Sequence, residues 1–220
     1  MDDWMDKKKD ERKMSGKKPG TIWMIIGGLL MGAALFLSVY NLYDARKAEE
    51  SVNQASLILR EKIDNSIQEK EQEEIKIPDY EKYPEIEMPV VEIDGEFYIG
   101  FLEIPQLKLS LPIMAGEWSE AKLKKAPCIY EGSVYLDTMV IAGHNYKSHF
   151  SGLKSLEEGS EICFIDAEGN RFFYELAWTE VIGEYDVNRM CSKVENWDLT
   201  LFTCTYGGRE RYTLRCVRVI

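Results

Sequence analysis

Histidine is scarce and cysteine is scattered: the 220-residue chain carries 2 histidines and 5 cysteines. No two cysteines form a C-x-x-C pair and no histidine cluster accompanies them, which argues against a structural zinc site. Positive charge is also in short supply. Twenty-seven Lys and Arg against 38 Asp and Glu leave a net charge of −11. Nucleic acid is therefore not the expected partner, because phosphate binding needs a basic face. Residues 44–76 contain neither Gly nor Pro, and there is no internal repeat or low-complexity segment. What is present is a foldable composition, 45% hydrophobic and 30% charged, which excludes wholesale disorder. The length suits one ordinary domain plus extras.

Residues 21–43 carry no charge and read TIWMIIGGLLMGAALFLSVYNLY. About 20 apolar residues at a rise of about 1.5 Å each span a bilayer core. Trp23 near one end and Tyr40 and Tyr43 near the other suit the headgroup level. A cleaved signal peptide would have a shorter apolar stretch ending in a small-x-small site. Gly32-Ala33-Ala34 supplies small residues, but inside the run. Lysines 7, 8, 9, 13, 17 and 18 with Arg12 crowd the N-terminal side, and the other flank turns acidic. The positive-inside bias then predicts a single-pass cell-membrane protein with a cytoplasmic N-terminus and an extracytoplasmic remainder.

Four segments follow: a basic tail at 1–20, an anchor at 21–43, a stalk or linker at 44–79 and a domain at 80–220. In the linker, Val52, Leu59, Ile63 and Ile67 fall near helical spacing, which fits a helical stalk; a solvated spacer fits equally. Pro78, Pro84 and Pro89 then push the chain extended. Beyond them, β-type runs cover 97–104, 107–113, 138–142, 161–165, 171–182, 198–204 and 211–219. A hairpin turn is expected at 166–170, and short helices around 119–124 and 152–157. So many strands in about 140 residues imply a mostly β sandwich or closed barrel.

The chemistry concentrates at strand ends. Alternation along 199–204 puts Thr200, Phe202 and Cys204 on one face, with Cys204 ending the strand before Gly207-Gly208. A strand-ending cysteine alone is as readily a small core residue. His144 ends another strand after Gly143, while His149, beside Lys147 and Ser148, reads as structural or exposed. A hairpin through Gly207-Gly208 would return Arg211 beside the thiol, with Arg209 and Arg215 as rivals on the same face. A thiol must ionise to attack, a histidine can move its proton, and an arginine can only donate hydrogen bonds to developing negative charge. Those residue types suit Cys204 as nucleophile, His144 as acid and base, and an arginine of this hairpin as electrostatic stabiliser, with position along the strand to decide among Arg209, Arg211 and Arg215.

Together these residues resemble the sortase family. Thr200-Leu201-Phe202-Thr203-Cys204 matches the family's T-L-x-T-C strand, and Ile141-Ala142-Gly143-His144 its apolar-A-G-H strand end. The family's arginine begins the last strand, a place that Arg211 fits best, so the resemblance implies Arg211 as the electrostatic stabiliser. Gly100-Phe101-Leu102-Glu103-Ile104-Pro105, followed by Leu111-Pro112-Ile113, matches the opening strands. The resemblance covers roughly residues 98–219 and implies an eight-stranded β-barrel with short helices behind one transmembrane helix. It implies a cysteine transpeptidase of a Gram-positive surface that cleaves an L-P-x-T-G-like sorting signal between Thr and Gly. A thioacyl intermediate would pass to a peptidoglycan-precursor amine. Thr203 and Thr200 are then the substrate-binding candidates. No cofactor is needed; some family members are calcium-stimulated, but no carboxylate cluster here is assignable to a metal.

Cys163 and Cys216 are expected in the core, and a Cys128–Cys191 disulfide is open in an oxidising exterior. A pilin-polymerising sortase would use a lysine acceptor and typically a lid with an aspartate before an aromatic. Pro78-Asp79-Tyr80 is a weak match to that lid. A plain cysteine peptidase would release the thioacyl to water. A non-enzymatic membrane-tethered β-barrel that binds ligands would survive loss of Cys204.

Overall fold

The structure is a computed structural model that describes residues 19–71, 77–193, 196–205 and 207–219. The basic tail expected at 1–20 lies, up to residue 18, outside the described residues. The chain divides into two units, Met1–Tyr43 and Asp44–Ile220. In the first, helix α1 (Pro19–Glu71, which continues into the second unit) is long and apolar enough to cross a membrane. Leu29, Leu30, Leu35 and Phe36 are all exposed along it.

The second unit is a β-barrel. Its strands are β1 (Val91–Ile93), β2 (Glu96–Ile104), β3 (Leu109–Met114), β4 (Cys128–Glu131), β5 (Met139–Gly143), β6 (Glu161–Asp166), β7 (Arg171–Gly183), β8 (Leu199–Cys204) and β9 (Glu210–Val219). Their order is β1-β2-β3-β4-β5-β8-β9-β7-β6, and β2 also pairs with β6. That last pairing closes an eight-stranded ring from β2 to β6, as expected. β1 stands outside the ring, antiparallel to the first residues of β2. Closure removes most free edges, the usual liability of an all-β fold. The pairs β3–β4 and β5–β8 are parallel and the others antiparallel.

The short helices are α2 (Asp79–Lys82), α3 (Glu120–Leu123) and α4 (Val187–Cys191). Ser119 caps α3 by accepting from the Lys122 amide, as its position before the helix suggests. The stretch expected as helix at 152–157 is a 3-10 turn, Ser151–Ser155. The strand expected from 107 starts at Leu109, because Pro105 opens a 3-10 turn that ends at Lys108 in the left-handed region. The 166–170 hairpin turn forms. Asp166 is fully buried there, accepting from the Glu168 and Asn170 amides and from the Tyr135 hydroxyl.

The linker expected at 44–79 needs correction. Residues 44–71 are helical and belong to the barrel unit. Ala48, Val52, Ala55, Leu59 and Ile63 are all buried, and four of them (all but Ala48) join the main core cluster. The Arg60 guanidinium lies over the Phe101 ring and bonds Glu103 and Ser110, while Lys62 donates to the Glu92 carbonyl. The approach is close enough that a Cβ on Gly169, whose φ is +86°, would meet Ile67 at 2.4 Å. Burying Val52, Leu59 and Ile63 contributes about 1.5–3 kcal/mol each. The helix is therefore a wall of the domain.

Candidate active site

Strand register brings the three expected residues to one end of the sheet. β5 and β8 run parallel with Ala142 opposite Phe202 and Gly143 opposite Thr203, so His144 emerges where Cys204 does. β9 returns antiparallel with Arg211 directly opposite Cys204. Alternation sorts the faces as expected: Leu199, Leu201, Leu214 and Cys216 enter the main core, while Phe202 joins a second cluster with Val140, Ala142, Ile182, Met190 and Trp197. Gly143 is required locally, since a Cβ there would stand 2.5 Å from the Phe150 ring.

His144, Cys204 and Arg211 line a single cavity of about 550 Å³. Phe202, Met190, Tyr130 and Trp118 supply apolar lining, and Glu120, Glu184 and Asp186 add carboxylates. Tyr130 meets Phe202 edge-on at 5.3 Å and Trp118 at 5.6 Å, which fixes that wall. Thr200 and Thr203 do not line the cavity. Both are buried; the Thr200 hydroxyl accepts from Arg215 at 2.7 Å, and the Thr203 hydroxyl has no protein partner. Thr200 thus lies deeper on the face that carries Cys204, and Thr203 on the opposite face.

The two histidines differ. Burial lowers the His144 pKa, opposed by Glu120, so the ring is neutral near pH 7. Its Nε2 makes no hydrogen bond within the protein. His149 is 1% exposed, and burial with the nearby His144 pushes its pKa down to about 4. His149 is thus structural, not exposed.

The arginines differ as well. Arg211 donates through Nη1 to the Gly208 carbonyl at 2.7 Å and the Glu210 carbonyl at 3.3 Å, meeting no carboxylate in these contacts. Arg215, 2% exposed, pairs with Glu180 at 2.8 Å, donates to the Met190 and Arg189 carbonyls, and lies over Trp197. Arg209 adjoins a shallow depression at Gly183–Asp186 instead of the cavity.

All five thiols are free, including Cys128 and Cys191. Burial raises the pKa of Cys128 and of Cys191 to about 12 and raises those of Cys163 and Cys216. Such thiols stay protonated and inert. Sequence reasoning missed Tyr130, Trp118 and Glu120 as lining residues. Tyr130 sits on β4, whose four residues are too few to show alternation, and the other two precede or open a four-residue helix.

The sortase domain family matches residues 102–219. No curated protein matches the sequence. Among solved structures, sortase C-1 from Streptococcus pneumoniae is 25% identical, with 59% of this chain and 70% of that one covered at a TM-score of 0.50. A Clostridium perfringens sortase D5 transpeptidase is 19% identical, covering 73% and 98%, at a TM-score of 0.53. Sortase C1 from Streptococcus suis is 26% identical, covering 56% and 73%, at 0.48. With more than half of its length matched and the barrel closed around the same segment, the chain belongs to the sortase family of cysteine transpeptidases.

Proposed function

We propose that this protein is a membrane-anchored transpeptidase in which Cys204 is the nucleophile, His144 the proton carrier and Arg211 the electrostatic stabiliser. The observation that carries the reading is the convergence of three strand ends on one cavity that holds all three side chains. A neutral His144 can take the thiol proton as Cys204 attacks the carbonyl carbon of the scissile Thr–Gly bond. The carbon–nitrogen bond then breaks, and His144 returns the proton to the leaving amine. An incoming amine attacks the thioacyl carbon, the carbon–sulfur bond breaks, and the thiol is restored. Arg211 needs only to turn from two backbone carbonyls to reach an oxyanion with its remaining donors.

The apolar lining supports an L-P-x-T-G-like segment as donor, because Leu and Pro would cover Phe202, Met190 and Tyr130. The exposed apolar helix and the basic residues before it support a span with the N-terminus in the cytoplasm and the barrel outside. Secreted proteins bearing a sorting signal and a cell-wall amine would meet it there. Tyr80, the aromatic of the weak lid match, stacks on Tyr135 at 4.7 Å and near Phe172 at 5.3 Å, and it does not line the cavity. A cell-wall amine is the acceptor in this reading, and a pilin lysine the alternative.

The test is full-length protein in detergent with fluorogenic L-P-x-T-G peptides and added amines. Cleavage after Thr with amine-dependent product, lost in Cys204→Ala, His144→Ala and Arg211→Ala, is the expected result. Cleavage that survives Cys204→Ala sinks the reading.

A further inference from the structure

The His144 ring has a stacked neighbour. The Tyr146 ring lies on it with centroids 4.6 Å apart and planes 28° from parallel. The Tyr146 hydroxyl donates to Asp44 Oδ2 at 2.8 Å, and Lys124 Nζ stands 3.7 Å from the same oxygen. Asp44 is the first charged residue after the apolar run and the first residue of the barrel unit.

The backbone around the stack is tightly folded. The Tyr146 carbonyl accepts from the His149 and Ser151 amides, and the His144 carbonyl accepts from the Phe150 amide. The His149 ring is 5.4 Å from that of Tyr146. Those bonds fix the loop but not the Tyr146 side chain, which is only partly buried. One contact at the outer end of the phenol is with Asp44, 102 positions earlier in the chain.

We propose that Tyr146 is a positioning residue for His144, and that Asp44, on the helix arriving from the apolar segment, holds it in place. The inference rests on the reading of His144 as the proton carrier. A proton carrier must stay within about 0.5 Å of its productive position, and a misplacement of about 1 Å costs roughly 10²-fold in rate. The anchor-proximal turn of α1 is on this account part of the active-site machinery as well as a wall of the domain.

The experiment uses the full-length chain in detergent, labelled with ¹³C and ¹⁵N in histidine, as wild type, Tyr146→Ala, Tyr146→Phe and Asp44→Ala. Only two ring signals arise, and His149→Phe assigns them. With an L-P-x-T-G peptide and an amine acceptor, Tyr146→Ala is expected to lower kcat about 10²-fold with KM nearly unchanged. Tyr146→Phe and Asp44→Ala, which keep the phenyl face but lose its tether, are expected to lie between it and wild type. The His144 ring proton should lose its upfield ring-current shift in Tyr146→Ala. Wild-type kcat together with an unmoved His144 signal in Tyr146→Ala would overturn the proposal. If Tyr146→Ala does not fold, wild-type kcat in both Tyr146→Phe and Asp44→Ala overturns it. If the wild type cleaves no peptide, the L-P-x-T-G donor reading fails, while the His144 signal still decides whether Tyr146 holds the ring.

Discussion

Arg211 and Arg215 lie four residues apart on one face of β9, yet they have opposite fates. Arg215 is buried with Glu180, Thr200, two carbonyls and the Trp197 face, so its guanidinium is fully committed. Arg211 is half-exposed at the strand end, held by backbone carbonyls alone in its hydrogen bonds. The two histidines repeat the contrast. His149 is sealed away while His144 opens on the cavity. Residue type is shared within each pair; what differs is depth in the fold, along β9 for the arginines and within the loop after β5 for the histidines. A buried charge is tolerable only with a complete set of partners, which leaves Arg215 no freedom for chemistry.

The largest effect that sharpens the contrast is on stability. Arg215→Met should leave Glu180 with Arg189 alone and take the donors from Thr200 and from the Met190 and Arg189 carbonyls, lowering unfolding free energy by about 3 kcal/mol, read by chemical denaturation. Arg211→Ala should do the reverse, lowering kcat/KM about 10²–10³-fold while the denaturation midpoint stays near wild type. Equal losses of stability in the two variants would erase the distinction between them.

The histidine pair yields a pH test. The folded-state pKa of His149, about 4, lies below its unfolded value near 6.5. Unfolded chains therefore bind the proton first as pH falls, and the associated stability, complete above pH 6.5, drains away down to pH 4. The loss is about 3 kcal/mol across that window. Denaturation of wild type against His149→Phe at pH 7, 5.5 and 4.5 should show a shallower decline in the variant. Parallel declines would mean that His149 does not carry this term. The smallest effect is expected of Thr200→Val, which removes one acceptor of Arg215 and should cost about 1–2 kcal/mol with kcat kept. A drop in kcat without loss of stability would return Thr200 to the substrate.

Much of this is legible in the sequence. Alternation across 199–204 and the Gly207-Gly208 return were enough to pair Cys204 with Arg211, because strand period and a hairpin fix faces and ends. His144 was legible as a strand end, although its neighbour β8 is reached only through a parallel pairing that sequence does not announce. Two short strands, β1 and β4, were lost because three or four residues carry no period. The resemblance selects Arg211, but that Arg215 is buried against Glu180 and Trp197 is a tertiary fact that alternation does not carry. The helical stripe at 52, 59 and 63 was visible, but a helix's partner is a tertiary fact, so a wall of the domain read as a linker. The Asp44–Tyr146 bond was invisible for the same reason.

The most direct test of the central claim is to trap the intermediate. Full-length protein mixed with an L-P-x-T-G peptide, quenched in acid and digested for mass spectrometry, should carry the acyl fragment ending in Thr on Cys204. Added amine should discharge that adduct into transfer product. An adduct on Cys128, Cys163, Cys191 or Cys216, or peptide cleavage with the Cys204 thiol never acylated, would contradict the account.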